Sequence, residues 1–134
     1  MSTSAPAMRE RYLADSITTA SPAKLLVMLY DRLVLDLSRG ERALAEGNRE
    51  EGSRQLLHAQ EIIIELHSSL DTSVWSGGAG LASLYGFLLT ELVGANIGAD
   101  AARAAACREI VEPLRDAWRE AAAIDAEAVT TAAG

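Results

Sequence analysis

Between Gly80 and Gly98 the chain reads GLASLYGFLLTELVGANIG, with a single charged residue, Glu91, in a protein that is 23% charged. Wound at ~100° per residue, Leu81, Leu84, Tyr85, Leu88, Leu92 and Ala95 form one stripe at i, i+3/i+4 spacing. A surface helix would carry polar residues opposite that stripe; here Ala82, Gly86, Leu89, Val93 and Ile97 lie there instead. A helix that is apolar on every side is buried on every side or sits in lipid. A chain of 134 residues builds one core of limited size. The second face therefore calls for a cover from outside the chain.

Lipid is the less favoured cover. The stretch just reaches the ~20 residues that a bilayer demands, but Glu91 near its middle would cost roughly 2.5–3.5 kcal/mol there. No Lys or Arg anchors flank it, and Gly94 with Gly98 as a GxxxG is a weak pattern alone. The opening MSTSAPAMRERYLADS has no apolar signal core, so the expected location is cytoplasmic, with no membrane insertion. One cysteine, Cys107, excludes an internal disulfide and suits a reducing compartment. A formal charge of −7 argues against nucleic acid, whose phosphates need clustered Lys and Arg.

The rest of the chain is written in helical periods. Residues 1–20 read as a mobile N-terminal arm. Its Tyr12, Leu13 and Ile17 are either a strap packed on the domain or the occupants of a groove that a partner later takes. Ser21-Pro22 starts a helix, Ser as N-cap and Pro at the first helical position. Its stripe is Leu26, Leu29, Tyr30, Leu33, Leu37, Gly40 and Leu44, running to about Glu46, and Gly40 there predicts a close helix–helix approach. Asp31, Arg32, Arg39 and Arg42 read as its solvated side, while Leu25, Val27 and Met28 add apolar surface beyond core needs. Gly47 stops that helix, and Asn48 with Glu51 reads as the capping box of the next. The second helix, to about Leu70, turns Leu56, Ala59, Ile63, Leu66 and Leu70 inward, with Leu57 and Ile64 on one shoulder and Ile62 on the other. Asp71 to Gly80 is a turn-rich loop whose Val74 and Trp75 fold back over the bundle end. After the 80–98 helix, Asp100 caps a fourth, with Arg103, Ala106, Cys107, Ile110, Leu114, Ala117 and Trp118 inward. Pro113 predicts a kink or restart near Glu109–Pro113. The fold class that follows is all-α: an antiparallel up-down four-helix bundle over 21–122, with a short fifth helix after the Pro113 kink and a frayed tail over 123–134.

No residue set calls for catalysis, cofactor or metal. His58 and His67 are nine residues apart on one helix, too far along its axis to share an ion. His58-x-x-Glu61 is spaced like a ligand pair, but no second copy exists, and both histidines read as solvated surface groups. Cys107 lies on an apolar face without a neighbouring histidine, an inert thiol. Gly77-Gly78-x-Gly80 has neither the preceding strand nor the following Lys of a phosphate loop. What remains is binding of an amphipathic partner or of a second copy of the chain; the apolar surplus fits both.

Particular residues go further. Tyr12, then Thr19-Ala20-Ser21-Pro22 with Leu25, Leu26, Met28, Leu29, Tyr30 and Asp31, resembles the opening signature of the flagellar secretion chaperone family FliS. His58-Ala59-Gln60-Glu61-Ile62-Ile63 through Leu66, Ser69, Leu70 and Asp71 is similar to a later block of that family. So are Leu84-Tyr85 through Leu92, Ala95, Asn96 and Asp100, and Leu114-Arg115-Asp116-Ala117-Trp118. The resemblance implies a non-enzymatic cytoplasmic chaperone that binds the C-terminal segment of flagellin in an apolar groove. It prevents premature self-assembly and assists delivery to the flagellar export gate, a further partner. It also implies an N-terminal arm that covers part of the site. The client-binding residues expected on these grounds are Tyr12, Ile17, Met28, Leu57, Ile64, Tyr85, Leu89, Val93, Asn96 and Ile97. Without client the chain is expected to be a monomer or weak homodimer. The alternative is a self-associating helical scaffold with no flagellin client. Two departures stand out: Leu89-Thr90-Glu91 replaces the family's usual basic residues after the aromatic pair, in a helix loosened by Gly86, Gly94 and Gly98, and Pro113 interrupts the last helix.

Overall fold

A computed structural model of the chain describes residues 21–70 and 77–133. The expectations for Tyr12, Leu13, Ile17, Val74 and Trp75 lie outside the described residues. Four helices follow one another: α1 (Pro22–Ala45), α2 (Arg49–Ser68), α3 (Gly78–Gly98) and α4 (Ala101–Ala133). α1 packs on α2 and α4, and α3 packs on the same two from the other side. The result is an all-α four-helix bundle, with no strand among the described residues.

The caps are where the sequence put them. Ser21 Oγ accepts from the Lys24 amide at 3.1 Å with Pro22 behind it, and Asn48 Oδ1 accepts from the Glu51 amide at 3.2 Å. Only half of the capping box forms, because the Glu51 carboxylate turns to Arg54 and Gln55. Gly47 carries a left-handed φ of 80°, and the Gly47 and Asn48 amides close α1 on the Leu44 and Ala43 carbonyls. Between α3 and α4 the left-handed position falls on Ala99, with φ 49°. Asp100 then caps α4 by accepting from the Arg103 amide at 3.1 Å.

Antiparallel register is written in cross-helix ion pairs. Glu41 of α1 meets Arg108 of α4 at 2.9 Å, and Asp31 meets Arg119 at 2.7 Å further along. At the α1–α2 seam the fit is reciprocal. A Cβ on Gly40 would stand 2.8 Å from Leu56 Cδ2, and one on Gly52 would stand 2.5 Å from Leu44 Cδ2. Each helix thus lends a leucine to the other's glycine notch, the close approach that Gly40 predicted.

Tyr30, Leu33, Leu37, Leu56, Ala59, Ile63, Leu92 and Ala95 have no exposed surface, and Ala104, Cys107 and Val111 complete the core from α4. Three expectations need correction. Ala106 and Ala117 face solvent while Ala104 and Val111 are buried; the run AARAAACR offers no contrast from which to phase the helix. Ile62 is buried in the core and not left on a shoulder. α4 runs unbroken through Pro113 to Ala133, without a separate helix after the proline. Pro113 sits on the exposed side, where water can take the Glu109 carbonyl that proline cannot serve.

Aromatic rings join all four helices at the end where α1 begins. Tyr30 and Tyr85 share a buried hydroxyl–hydroxyl hydrogen bond of 2.6 Å across the bundle. Trp118 of α4 lies against Tyr30 with ring centroids 6.2 Å apart, and His67 of α2 lies edge-on to Tyr85 at 6.4 Å. Burial and the Tyr30 hydrogen bond push the Tyr85 phenol well above the usual tyrosine range.

Candidate functional site

The reading of His58 changes first. His58 is not a free surface group: its Nδ1 pairs with Asp36, whose side chain is 0% exposed and also takes Arg32 Nε at 3.0 Å. A buried carboxylate needs such partners. Glu61 points to solvent, away from that cluster. Among the described residues no group of three or more His, Cys, Asp or Glu is placed to hold a metal ion. Cys107 is buried, and desolvation, with Glu91 nearby, pushes its thiol up to about 11. It is a protonated core group at neutral pH.

The distinctive surface is the outer side of α3. Eight residues of α1 are buried but only five of α3, namely Gly78, Tyr85, Leu88, Leu92 and Ala95. α3 is also the one helix, among the described residues, long and apolar enough to cross a membrane. Val93 stands in solvent, Ile97 is 73% exposed and Phe87 50%. Ala79, Ser83, Gly86 and Thr90 complete an exposed side without a single charge.

Its two flanks are set by neighbouring helices. Arg49 of α2 donates Nη2 to the Ile97 carbonyl at 3.0 Å, and His67 of α2 touches Tyr85. α2 therefore borders α3 on the flank that carries Tyr85, Leu89 and Asn96. The outward side of α2 presents Leu57 and Ile64, both about half exposed. Seven residues apart, they are nearly eclipsed, ~20° out of phase. On the opposite flank Arg103 of α4 reaches across to Glu91, Nε to Oε2 at 2.8 Å. Its guanidinium lies where any side chain on residue 94 would have to go, so Gly94 makes room for the pair. The Arg103 hydrogen bond holds the Glu91 carboxyl below the usual range. The only charge on α3 is thus neutralised at its edge, and the face stays uncharged.

Of the expected client residues, Leu57 and Ile64 are exposed on α2 and Val93 and Ile97 on the neighbouring α3, with Asn96 partly exposed. Leu89 is only partly open, packed against the core at the edge of the face. Tyr85 is a correction: at 2% exposure, with its hydroxyl bonded to Tyr30, it belongs to the core. Met28 is exposed on α1, together with Leu35, apart from the α3 face. Tyr12 and Ile17 lie outside the described residues. Phe87, half exposed on the flank of α3 toward α4, is not among the expected residues: it lies neither on the inner stripe nor directly opposite it.

The family model described as Flagellar protein FliS matches residues 4–125. A protein of Bacillus subtilis (strain 168) called Flagellar secretion chaperone FliS is 31% identical over 110 residues, 82% of each chain. One of the same name from Vibrio cholerae serotype O1 is 31% identical over 107 residues, 78% of this chain and 77% of that one. The fold is similar to that of a bacterial flagellar chaperone in a crystal structure, with a TM-score of 0.69 at 21% identity, covering 85% of this chain and 94% of the other. With a family model matched over most of its length and two such relatives, this four-helix chain belongs to the FliS family of flagellar secretion chaperones.

Proposed function

We propose that the chain is a cytoplasmic, non-enzymatic export chaperone whose client is the C-terminal segment of flagellin. The client lies along the α2–α3 side and is handed on at the flagellar export gate. The observation that carries this reading is the uncharged outer side of α3, with Val93 and Ile97 open to solvent beside Leu57 and Ile64 of α2. Monomeric domains rarely leave such a patch uncovered. Each Leu, Ile or Val that a client covers contributes roughly 1.5–3 kcal/mol before ordering costs. A disordered client loses much of that on folding against the surface, which keeps the complex reversible. Masking alone prevents premature self-assembly, so no catalytic group is required. Residues 1–20, with Tyr12 and Ile17, act as an arm that shares the site. Titration calorimetry with a synthetic C-terminal flagellin peptide tests the proposal: a one-to-one complex at micromolar concentrations supports it. No heat at those concentrations, with a tight dimer in native mass spectrometry, would favour the scaffold alternative.

A further inference from the structure

One polar side chain on the α3-facing side of α2 is out of keeping with its neighbours. Arg49, Gln60 and His67 fall within ~40° of one another on the α2 wheel. The first and last are engaged with α3, Arg49 through the Ile97 carbonyl at 3.0 Å and His67 through the Tyr85 ring at 6.4 Å. Those contacts bring Gln60, between them on α2, level with Leu89 of α3. Gln60 Nε2 is buried and has no hydrogen-bond partner among the described residues. Gln55, on the side of α2 that faces Gly40 of α1, by contrast donates to Glu51 at 2.9 Å. A buried amide donor left unpaired is costly, and native structures rarely keep one. The residue as a whole is only partly buried, so rotation about its flexible side chain turns the carboxamide outward. Leu57 and Ile64, both about half exposed, stand within ~60° of it on the outward side of α2.

We propose that Gln60 is the polar anchor of the client site. Its carboxamide takes the main chain of the bound segment, Nε2 donating to a client carbonyl and Oε1 accepting a client N–H. This rests on the client reading above and deepens it. A side-chain amide is both donor and acceptor, as a peptide unit is, and so matches it group for group. Apolar contact is non-directional and leaves a client free to slide along the surface. One paired peptide unit fixes its register. The chemistry of the occupant follows. Within a helix the N–H and carbonyl groups are spent on one another, so the stretch of client that crosses Gln60 is extended or lies at a helix end. Leu57 and Ile64, about one turn to either side of Gln60, then receive the apolar residues that flank that stretch.

Gln60→Met keeps the length of the side chain and removes its hydrogen-bonding groups. Titrated with the synthetic C-terminal flagellin peptide, it should bind about five- to tenfold more weakly than the wild-type chain, while its urea midpoint stays level or rises. A glutamine that only supports the fold gives the reverse, a lower midpoint with unchanged affinity, and that result overturns the proposal. Gln55→Met, the same change on the other side of α2, should leave binding unchanged; an equal loss there also overturns it. Ester-for-amide replacement walked along the peptide should find one position whose loss of affinity in the wild-type chain disappears in Gln60→Met. Equal losses in both proteins at every position overturn the anchor. Saturating peptide should also shift the Gln60 side-chain NH2 resonances, assigned by their absence from Gln60→Met; resonances that stay in place overturn it. The two readings fail differently. Peptide bound equally by the wild-type chain and Gln60→Met sinks the anchor and leaves the client reading standing, whereas no heat with the wild-type chain sinks the client reading and the anchor with it.

Discussion

The α1–α2 seam and the outer side of α3 both use glycine, and they use it in opposite ways. Gly40 and Gly52 are notches already filled, by Leu56 and Leu44 across the seam. Gly86 is a notch left open. The seam also buries a charge, Asp36, and surrounds it with Arg32 and His58 from both helices, while the α3 face has its one charge removed to the edge. A glycine that tolerates no side chain marks finished packing. One with open space above it, like Gly86, is left unconstrained by packing within the chain.

That contrast can be broken by substitution. The largest effect belongs to the filled notch. Leu56→Ala empties the space over Gly40 and should cost about 2–5 kcal/mol, read as a drop in urea midpoint with little change in slope. Gly52→Val drives a branched side chain into Leu44 and should cost about 1–3 kcal/mol; a loss under half of that would mean the seam can relax. Next comes the α3–α4 side, where Cys107 is buried. Its thiol ionises at about 11 in the fold against an ordinary 9.0, so between those values the unfolded chain releases a proton that the native chain keeps. Stability therefore falls as pH rises through that window. Tyr85, displaced in the same direction, adds to the fall above its ordinary value. Denaturant midpoints measured from pH 8 upward should show the decline, shallower in Cys107→Ala. The open side should respond least. Gly86→Ala fills nothing and should stabilise the helix by about 0.5–1 kcal/mol. Val93→Asp should leave helicity and melting nearly unchanged while weakening peptide binding about tenfold or more; unfolding in that variant would place Val93 in the core.

What the sequence disclosed follows the same division. Ser21, Asn48, Gly47 and Gly40 were legible because each acts on its own neighbours or by a steric rule visible at one position. The open side of α3 was legible because its stripe had no charged counterpart. Asp36 was not: a lone carboxylate carries no sign of burial in the sequence, and its second partner, His58, arrives 22 residues later. Tyr85 was assigned to the surface from family likeness, although its place on the inner stripe with Leu81, Leu88 and Leu92 already marked it as core. The phase of α4 failed for want of signal, since alanine on both sides of a helix gives no amphipathic contrast. Pro113 was read by its general penalty alone, and that penalty is small where the freed carbonyl faces water.

The four linked rings, Trp118, Tyr30, Tyr85 and His67, also have a mechanical meaning. A client drawn off the outer side of α3, on the reading proposed above, would leave a face that holds no charge, only Ser83 and Thr90 hydroxyls among small and apolar side chains. Force on the helix itself meets the Tyr30–Tyr85 bond, with Trp118 and His67 braced behind it on the other two helices. On the client reading proposed above, the grip slips before the frame yields, so a cargo could be pulled off while the carrier stays folded for another round.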